Sequence, residues 1–273
     1  MKLSEMRHIL AEENIQLTKS LGQNFLHDRN QLLKIIAAAD LQTGDKVLEI
    51  GPGLGPLTAL LTEKAAHILA IEKDARLVEV LRKQFSGRLD LIHDDALEYL
   101  RRGPHDWDGW KLVANLPYSV ASPILVELAQ GARPPARLTA TLQLEVAQRL
   151  IAGPGSKDYG VLSLLVQSNY QPHELFKVPA SCFWPEPEVD SACVTLLRRP
   201  EALLSSALRE AFTRIVKRGF SQRRKMMLKL LKQDWPAEKL ERAFTQSGLT
   251  QQVRAEALSL EQFVRLTEHL AGN

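Results

Sequence analysis

Lys46-Val47-Leu48-Glu49-Ile50 runs directly into Gly51-Pro52-Gly53-Leu54-Gly55, and a helical pattern from Pro56 to Ala65 begins at the next residue. A short apolar run that ends in a glycine-rich turn at a helix start reads as the first βα turn of an open α/β sheet. The chain keeps this rhythm. His67 to Ile71 is strand-like, Ala75 to Gln84 helical, and Leu89 to His93 and Lys111 to Ala114 are strand-like again. Strands alternating with helices at this spacing predict βαβ units and a parallel sheet covered by helices on both faces.

Three further strand candidates, Leu138 to Leu142, Asn169 to Phe176 and Ala192 to Leu197, read as the far edge of the same sheet, with a helix near 160–168 between them. After Pro200 the pattern is helical only. Leu204, Leu208, Phe212, Ile215 and Val216 make one apolar stripe, Met226, Met227, Leu230 and Leu231 a second. A third helix stops at Gly248, and Ser259 with Gln262 forms a capping box that opens the last one. The expectation is an α/β domain over 1–198, with 1–19 a candidate flexible segment, and a small all-α domain over 199–273.

Charge supports that division. The formal net charge is +3, but 1–198 holds 21 Lys and Arg against 24 Asp and Glu, whereas 199–273 holds 14 against 8. A basic tail of this kind suits a polyanion such as nucleic acid. Between Arg214 and Lys232 there are eight cations and no acid. Arg218, Arg223, Arg224 and Lys225 are the candidate phosphate contacts among them. No apolar run reaches the roughly 18 residues of a membrane span. Cys182 and Cys193 form no CxxC pair and the seven histidines are scattered, so no disulfide framework or metal site is expected. Met1 to Asn14 lack the apolar core of a secretory signal, which leaves a cytoplasmic protein as the expectation.

The glycine turn sits where an open sheet binds ligands, and Glu72 ends the second strand 21 residues after Gly51, where a carboxylate can accept from both hydroxyls of a ribose. A dinucleotide turn would need glycine at 56, which is proline. The pattern instead resembles the S-adenosylmethionine site of class I methyltransferases, and Asp95 after the third strand fits that group's contact to the adenine amino group. Asn115-Leu116-Pro117-Tyr118 follows the fourth strand at the same sheet edge. An exocyclic adenine nitrogen is a poor nucleophile because its lone pair is delocalised into the ring. Acceptors around it, the Asn115 side-chain oxygen and the Leu116 carbonyl, would favour a pyramidal nitrogen aimed at the methyl group. Pro117 would stiffen the turn and Tyr118 offer a stacking face for a flipped base. No Ser/His/Asp or Cys/His constellation is present, nor is one needed, since the methyl arrives activated and positioning carries much of the rate.

These motifs resemble those of the small-subunit rRNA adenine N6,N6-dimethyltransferases, over about residues 21–266. Leu21-Gly22-Gln23-Asn24-Phe25-Leu26 is similar to the family's N-terminal motif, Phe183 to Ser191 to its F-x-P-x-P-x-V-x-S segment, and Gly219 to Lys225 and Arg254-Ala255-Glu256 to its C-terminal signatures. Ser119 stands where the family commonly has asparagine and Met226 where threonine is common. The resemblance implies a Rossmann-like class I methyltransferase domain that binds S-adenosylmethionine through Asn24, Leu26, Gly51, Gly53, Glu72, Asp95 and Asn115, and releases S-adenosylhomocysteine. It implies no metal, a flipped adenine held by Asn115, Leu116 and Pro117 and sandwiched by Tyr118 and Phe183, and a monomer. The implied substrate is a pair of adjacent adenosines in the 3′-terminal hairpin loop of 16S rRNA in the small ribosomal subunit, with a part in subunit biogenesis. The alternatives are a large-subunit adenine methyltransferase of the macrolide-resistance type, a non-catalytic ribosome-assembly factor on the same fold, and a nicotinamide oxidoreductase, which Pro56 disfavours.

Overall fold

A computed structural model describes residues 1–18 and 22–271, so Leu21 lies outside the described residues. The chain divides into two units, Met1–Ala147 with Gln171–Arg198, and Gln148–Tyr170 with Arg199–Asn273. In chain order the elements begin α1 (Leu3–Glu12), β1 (Phe25–Leu26), α2 (Arg29–Ala39), β2 (Lys46–Ile50), α3 (Pro56–Leu61), β3 (His67–Glu72), α4 (Ala75–Phe85), β4 (Asp90–His93), α5 (Ala96–Arg101), β5 (Trp110–Asn115), α6 (Ala121–Gln130), β6 (Arg137–Gln143) and α7 (Leu144–Ile151), which crosses from the first unit into the second. Then come α8 (Val161–Gln167), β7 (Tyr170–Val178), β8 (Phe183–Trp184) and β9 (Ser191–Arg198).

Seven strands form one sheet in the order β4-β3-β2-β5-β6-β9-β7, with β4 to β6 parallel and β9 antiparallel to β6. Val47, Leu48 and Ile50 of β2 are almost wholly buried, as a central strand covered on both faces requires. β2 pairs with β3 on one side and β5 on the other, so the chain order reverses there, and the crevice at the strands' carboxyl ends is where such sheets hold ligands. Asp28, Asp74 and Asp95 cap α2, α4 and α5 by accepting from backbone N–H groups in the first turn.

Two features differ from the sequence expectation. Residues 1–18 make packing contacts, with Lys19 outside the described residues: Met6 and Leu10 of α1 join Ile15, Phe25, Leu54 and Leu77 in one apolar cluster, and Glu13 pairs with Lys83 at 2.7 Å. The helical unit, for its part, is not a contiguous tail beginning at 199. It comprises α9 (Arg209–Phe220), α10 (Met227–Leu231), α11 (Ala237–Gln246) and α12 (Leu260–Ala271), together with α8 and its approach. Tyr159 is 1% exposed, donates its hydroxyl to the Leu258 carbonyl at 3.0 Å and packs edge-on against Phe220, whose ring stacks on Phe263. So defined, the unit holds 16 Lys and Arg against 9 Asp and Glu. Its helices form where the apolar stripes fall, and Ser259 and Gln262 exchange both bonds of the capping box at 3.2 and 2.9 Å. Among the described residues no helix is long and apolar enough to cross a membrane.

Candidate active site

The carboxyl ends of β2, β3 and β5 and the loop after β4 surround one cavity in the first unit, closed on a further side by residues 22–26. Gly51, Gly53, Glu72, Asp95, Asn115, Leu116, Pro117, Tyr118, Asn24 and Leu26 all line it. The two glycines are needed twice over. Both have positive φ, +67° and +63°, and an added Cβ would lie 3.3 Å from Pro117 Cγ at Gly51 and 2.7 Å from Phe25 Cε1 at Gly53. The turn is thus pressed between the N-terminal motif and the Asn-Leu-Pro-Tyr turn, and it holds backbone, not side chain, against the cavity.

Glu72 is 7% exposed and accepts from the Gly53, Lys73 and Asp74 amides at 3.1, 2.9 and 2.9 Å. Burial raises its pKa and those three bonds oppose the shift. Asp95 spends Oδ1 on capping α5 and pairs Oδ2 with Lys73 at 2.9 Å, a bond that lowers its pKa. Lys73 is therefore a cavity residue that the motif reading did not single out, although it follows Glu72 directly.

Glu49 of β2 is a second cavity residue outside the motif positions. It is 1% exposed on the cavity wall, with Oε2 accepting from Thr58 Oγ1 at 2.8 Å and Oε1 buried without a partner among the described residues. Burial pushes its carboxyl up to about 8, against the lowering bond from Thr58 and with further help from the charge on Glu72. The available signal was an acid in an otherwise apolar strand, directly before the glycine turn.

Asn115, the last residue of β5, donates Nδ2 to the Asn24 carbonyl at 3.1 Å, and its Oδ1 is buried with no partner among the described residues. The Leu116 amide donates to the Thr141 carbonyl of β6 at 3.0 Å, and the Val120 amide to the Pro117 carbonyl at 3.1 Å, which fixes the tetrapeptide on the sheet edge. The Tyr118 and Ser191 hydroxyls lie 2.6 Å apart, and burial raises the Tyr118 pKa. Phe183 is not brought to the cavity. It pairs with Leu26 across β1 and β8, is 2% exposed, and sits in an apolar cluster with Leu32 and Ile35. Gln16, Thr18 and Gln23 are tied to Asp74 and Arg76: Asp74 accepts from Gln23 Nε2 at 2.8 Å and from Arg76, while Arg76 also donates to Gln16 O and Thr18 Oγ1 at 3.0 Å.

The four candidate phosphate contacts of the helical unit fall into two groups. Arg214 and Arg218 both hold Asp234, which lies two residues past the acid-free block, and Arg218 also donates to Gln233. Arg223 pairs with Glu256 at 3.3 Å and donates to the Lys157 carbonyl at 2.9 Å. Arg224 and Lys225 instead line a shallow cleft with Lys229, Gln252 and Arg254. Of the four expected phosphate contacts, two are thus engaged inside the unit and two line a cleft together with Lys229 and Arg254.

Orphaned acceptors on Asn115 and Glu49, a backbone cradle at two glycines and an acid after β3 together suit a nucleoside bearing a cationic substituent. The ribosomal RNA adenine dimethylase model matches residues 14–272. The chain is 39% identical to the ribosomal RNA small subunit methyltransferase A of Clostridium perfringens, over 98% of this chain and 97% of that one. Its counterpart in Geobacter metallireducens is 38% identical, over 93% and 96%. Among solved structures, the 23S rRNA methyltransferase ErmE superposes with a TM-score of 0.68 at 30% identity, covering 90% of this chain and 99% of that one. A dimethyladenosine transferase from Plasmodium falciparum superposes with a TM-score of 0.74 at 24% identity, over 89% and 95%. With a family model spanning nearly its whole length, the chain belongs to the ribosomal RNA adenine dimethylase family, S-adenosylmethionine-dependent rRNA methyltransferases.

Proposed function

We propose that this chain dimethylates N6 of two adjacent adenosines in the 3′-terminal hairpin loop of 16S rRNA, acting as a cytoplasmic monomer on the small ribosomal subunit during its biogenesis. The observation that carries the reading is the buried, unpartnered Oδ1 of Asn115 on the wall of the cavity. A buried acceptor without a donor costs about 1–3 kcal/mol, a cost relieved when an amino group arrives. The small-subunit choice is supported by the names of relatives 38–39% identical over nearly the full chain.

S-adenosylmethionine, when bound, supplies a methyl group activated by its sulfonium charge. The chain's part is to bind and to aim. Glu72 accepts from the ribose hydroxyls, Gly51 and Gly53 offer backbone, Asn24 and Leu26 close the site, and Asp95 accepts from the adenine amino group. Asp95 Oδ2 is taken by Lys73, but the lysine is 60% and the aspartate 30% exposed. Exposed pairs of this sort are worth about 0–1 kcal/mol, so the oxygen is released cheaply. At the target base, Asn115 Oδ1 and the Leu116 carbonyl accept from the amino group and draw its lone pair out of the ring, while Pro117 keeps the carbonyl aimed. Tyr118 supplies the stacking face. Phe183 backs Leu26 from within the core and would have to leave it to meet a base. RNA phosphates are met by Arg224 and Lys225 with Lys229 and Arg254, while Arg218 and Arg223 order the segment that carries them.

Incubating the protein with methyl-labelled S-adenosylmethionine and either undermethylated small subunits or large subunits tests the reading. Label in small-subunit RNA is expected. Label in large-subunit RNA would instead support the second reading, which the likeness to ErmE favours.

A further inference from the structure

Ser191 closes the F-x-P-x-P-x-V-x-S segment, and none of the roles above uses it. It is fully buried at the start of β9, where the register sets it opposite Gln143 at the end of β6. The preceding residue is held from three sides: the Asp190 carbonyl accepts from the Leu144 amide at 3.0 Å, and its carboxylate accepts from the Ala180 amide at 3.1 Å and from Lys177 Nζ at 2.6 Å. Ser191 Oγ is thus a fixed point on the sheet. Tyr118 is in a different position, since it sits on the turn after β5 and lines the cavity. Such a ring turns about two side-chain torsions, the second of which is a soft, roughly two-fold rotor. Among the described residues, its one side-chain hydrogen bond is the 2.6 Å contact to Ser191.

We propose that Ser191 is a positioning residue for methyl transfer: its hydroxyl holds the phenol of Tyr118, and so sets the ring face against which the target adenine stacks. The inference rests on the adenine reading above. The phenol oxygen lies on the ring axis, so anchoring it fixes the direction of that axis. The hydroxyl's preference for the ring plane then limits rotation about the axis. A base displaced by about 1 Å from its attack position can lose on the order of a hundredfold in rate, so orientation of this one face is enough to matter. The phenol acts only through position. It is hydrogen-bonded, and burial keeps it protonated.

The inference predicts that the two hydroxyls act as one unit. Ser191→Ala, Tyr118→Phe and the double variant are compared in single-turnover transfer from S-adenosylmethionine to undermethylated small subunits, with cofactor affinity read by calorimetry and folding by thermal midpoint. Each single change slows transfer by up to about tenfold, the worth of one neutral hydrogen bond, and leaves cofactor affinity unchanged. The double variant is no slower than either, monomethyladenosine accumulates in all three, and Ser191→Thr recovers most of the rate. Wild-type rates in Ser191→Ala, or losses that multiply in the double variant, overturn the inference. Should Ser191→Ala not fold, Tyr118→Phe decides alone, since transfer at the wild-type rate refutes the coupling. Wild-type protein that methylates nothing overturns the adenine reading and the inference with it, whereas active wild type with unaffected variants overturns the inference alone.

Discussion

Asn115 donates its side-chain amide to the Asn24 carbonyl at 3.1 Å, so one residue both pins the N-terminal motif over the cavity and turns its free oxygen inward. The two halves of that amide have separable tasks. Asn115→Ala is expected to reduce methyl transfer by about a hundredfold, the scale on which a single preorganised polar group at a reacting centre counts. Cofactor affinity should only weaken. Transfer rates and calorimetric affinity on the same preparation check both halves, and unchanged turnover rules out the role given to Asn115.

Gly53 tests the packing of the turn. Its φ of +63° disfavours any L side chain, and a Cβ would lie 2.7 Å from the Phe25 ring. Gly53→Ala should cost on the order of 1–3 kcal/mol of stability from backbone strain, read as a lower thermal midpoint. It should weaken cofactor binding as well, because the displaced Phe25 sits between residues that line the cavity.

Glu49 gives the cavity a pH signature. Its carboxyl titrates at about 8 in the folded chain against 4.5 for the reference value, so its contribution to stability is fully present below 4.5 and is lost as pH rises through about 8. Asp74 and Asp95, whose pKa values are lowered by Arg76 and Lys73, give the opposite slope at acid pH. The expected result is that the thermal midpoint of Glu49→Gln gains on that of wild type as pH rises from 5 to 8. A cationic ligand favours the carboxylate, so cofactor binding at pH 7 should release protons in wild type but not in Glu49→Gln, as calorimetry in buffers of different ionisation enthalpy would show.

The cations of the helical unit separate in the same way. Arg224→Ala and Lys225→Ala should each lower the salt dependence of subunit binding by about one counterion and leave folding intact. Arg218→Ala removes one of the two arginines on Asp234 and should shift the thermal midpoint by an amount worth up to about 1 kcal/mol, with little change in the salt slope. Binding titrations at several salt concentrations, set beside melting curves, distinguish the two groups.

Local signals carried the sheet and the cavity's framework into the sequence. The run from Lys46 to Gly55 announces a strand, a turn and a ligand edge within ten residues, and the acid at 72 and the tetrapeptide at 115 fall at the ends of their own strands. What stayed illegible depends on contacts between distant residues. Tyr159 joins the helical unit through Leu258, 99 residues on, and periodicity around Tyr159 does not record that bond. Asp234 pairs with Arg218 from beyond the acid-free block, and Glu256 with Arg223, so a run of cations in sequence does not show which of them have acid partners. Phe183 is expected at the target base only by resemblance of its proline-rich segment, and the two-residue pairing with Leu26 that buries it leaves no mark in the local sequence. Glu49 was legible as an acid in an apolar strand, but its lack of a second partner is visible only in three dimensions.

The central claim is that the Asn115 edge of the cavity dimethylates adenine N6 in small-subunit RNA. Mass-spectrometric mapping of 16S rRNA from undermethylated subunits, treated with wild type or Asn115→Ala and S-adenosylmethionine, tests it most directly. Two adjacent N6,N6-dimethyladenosines in the 3′-terminal hairpin loop with wild type, and almost none with the variant, are predicted. Methylation at another base, in large-subunit RNA only, or to the same extent with the variant would contradict it.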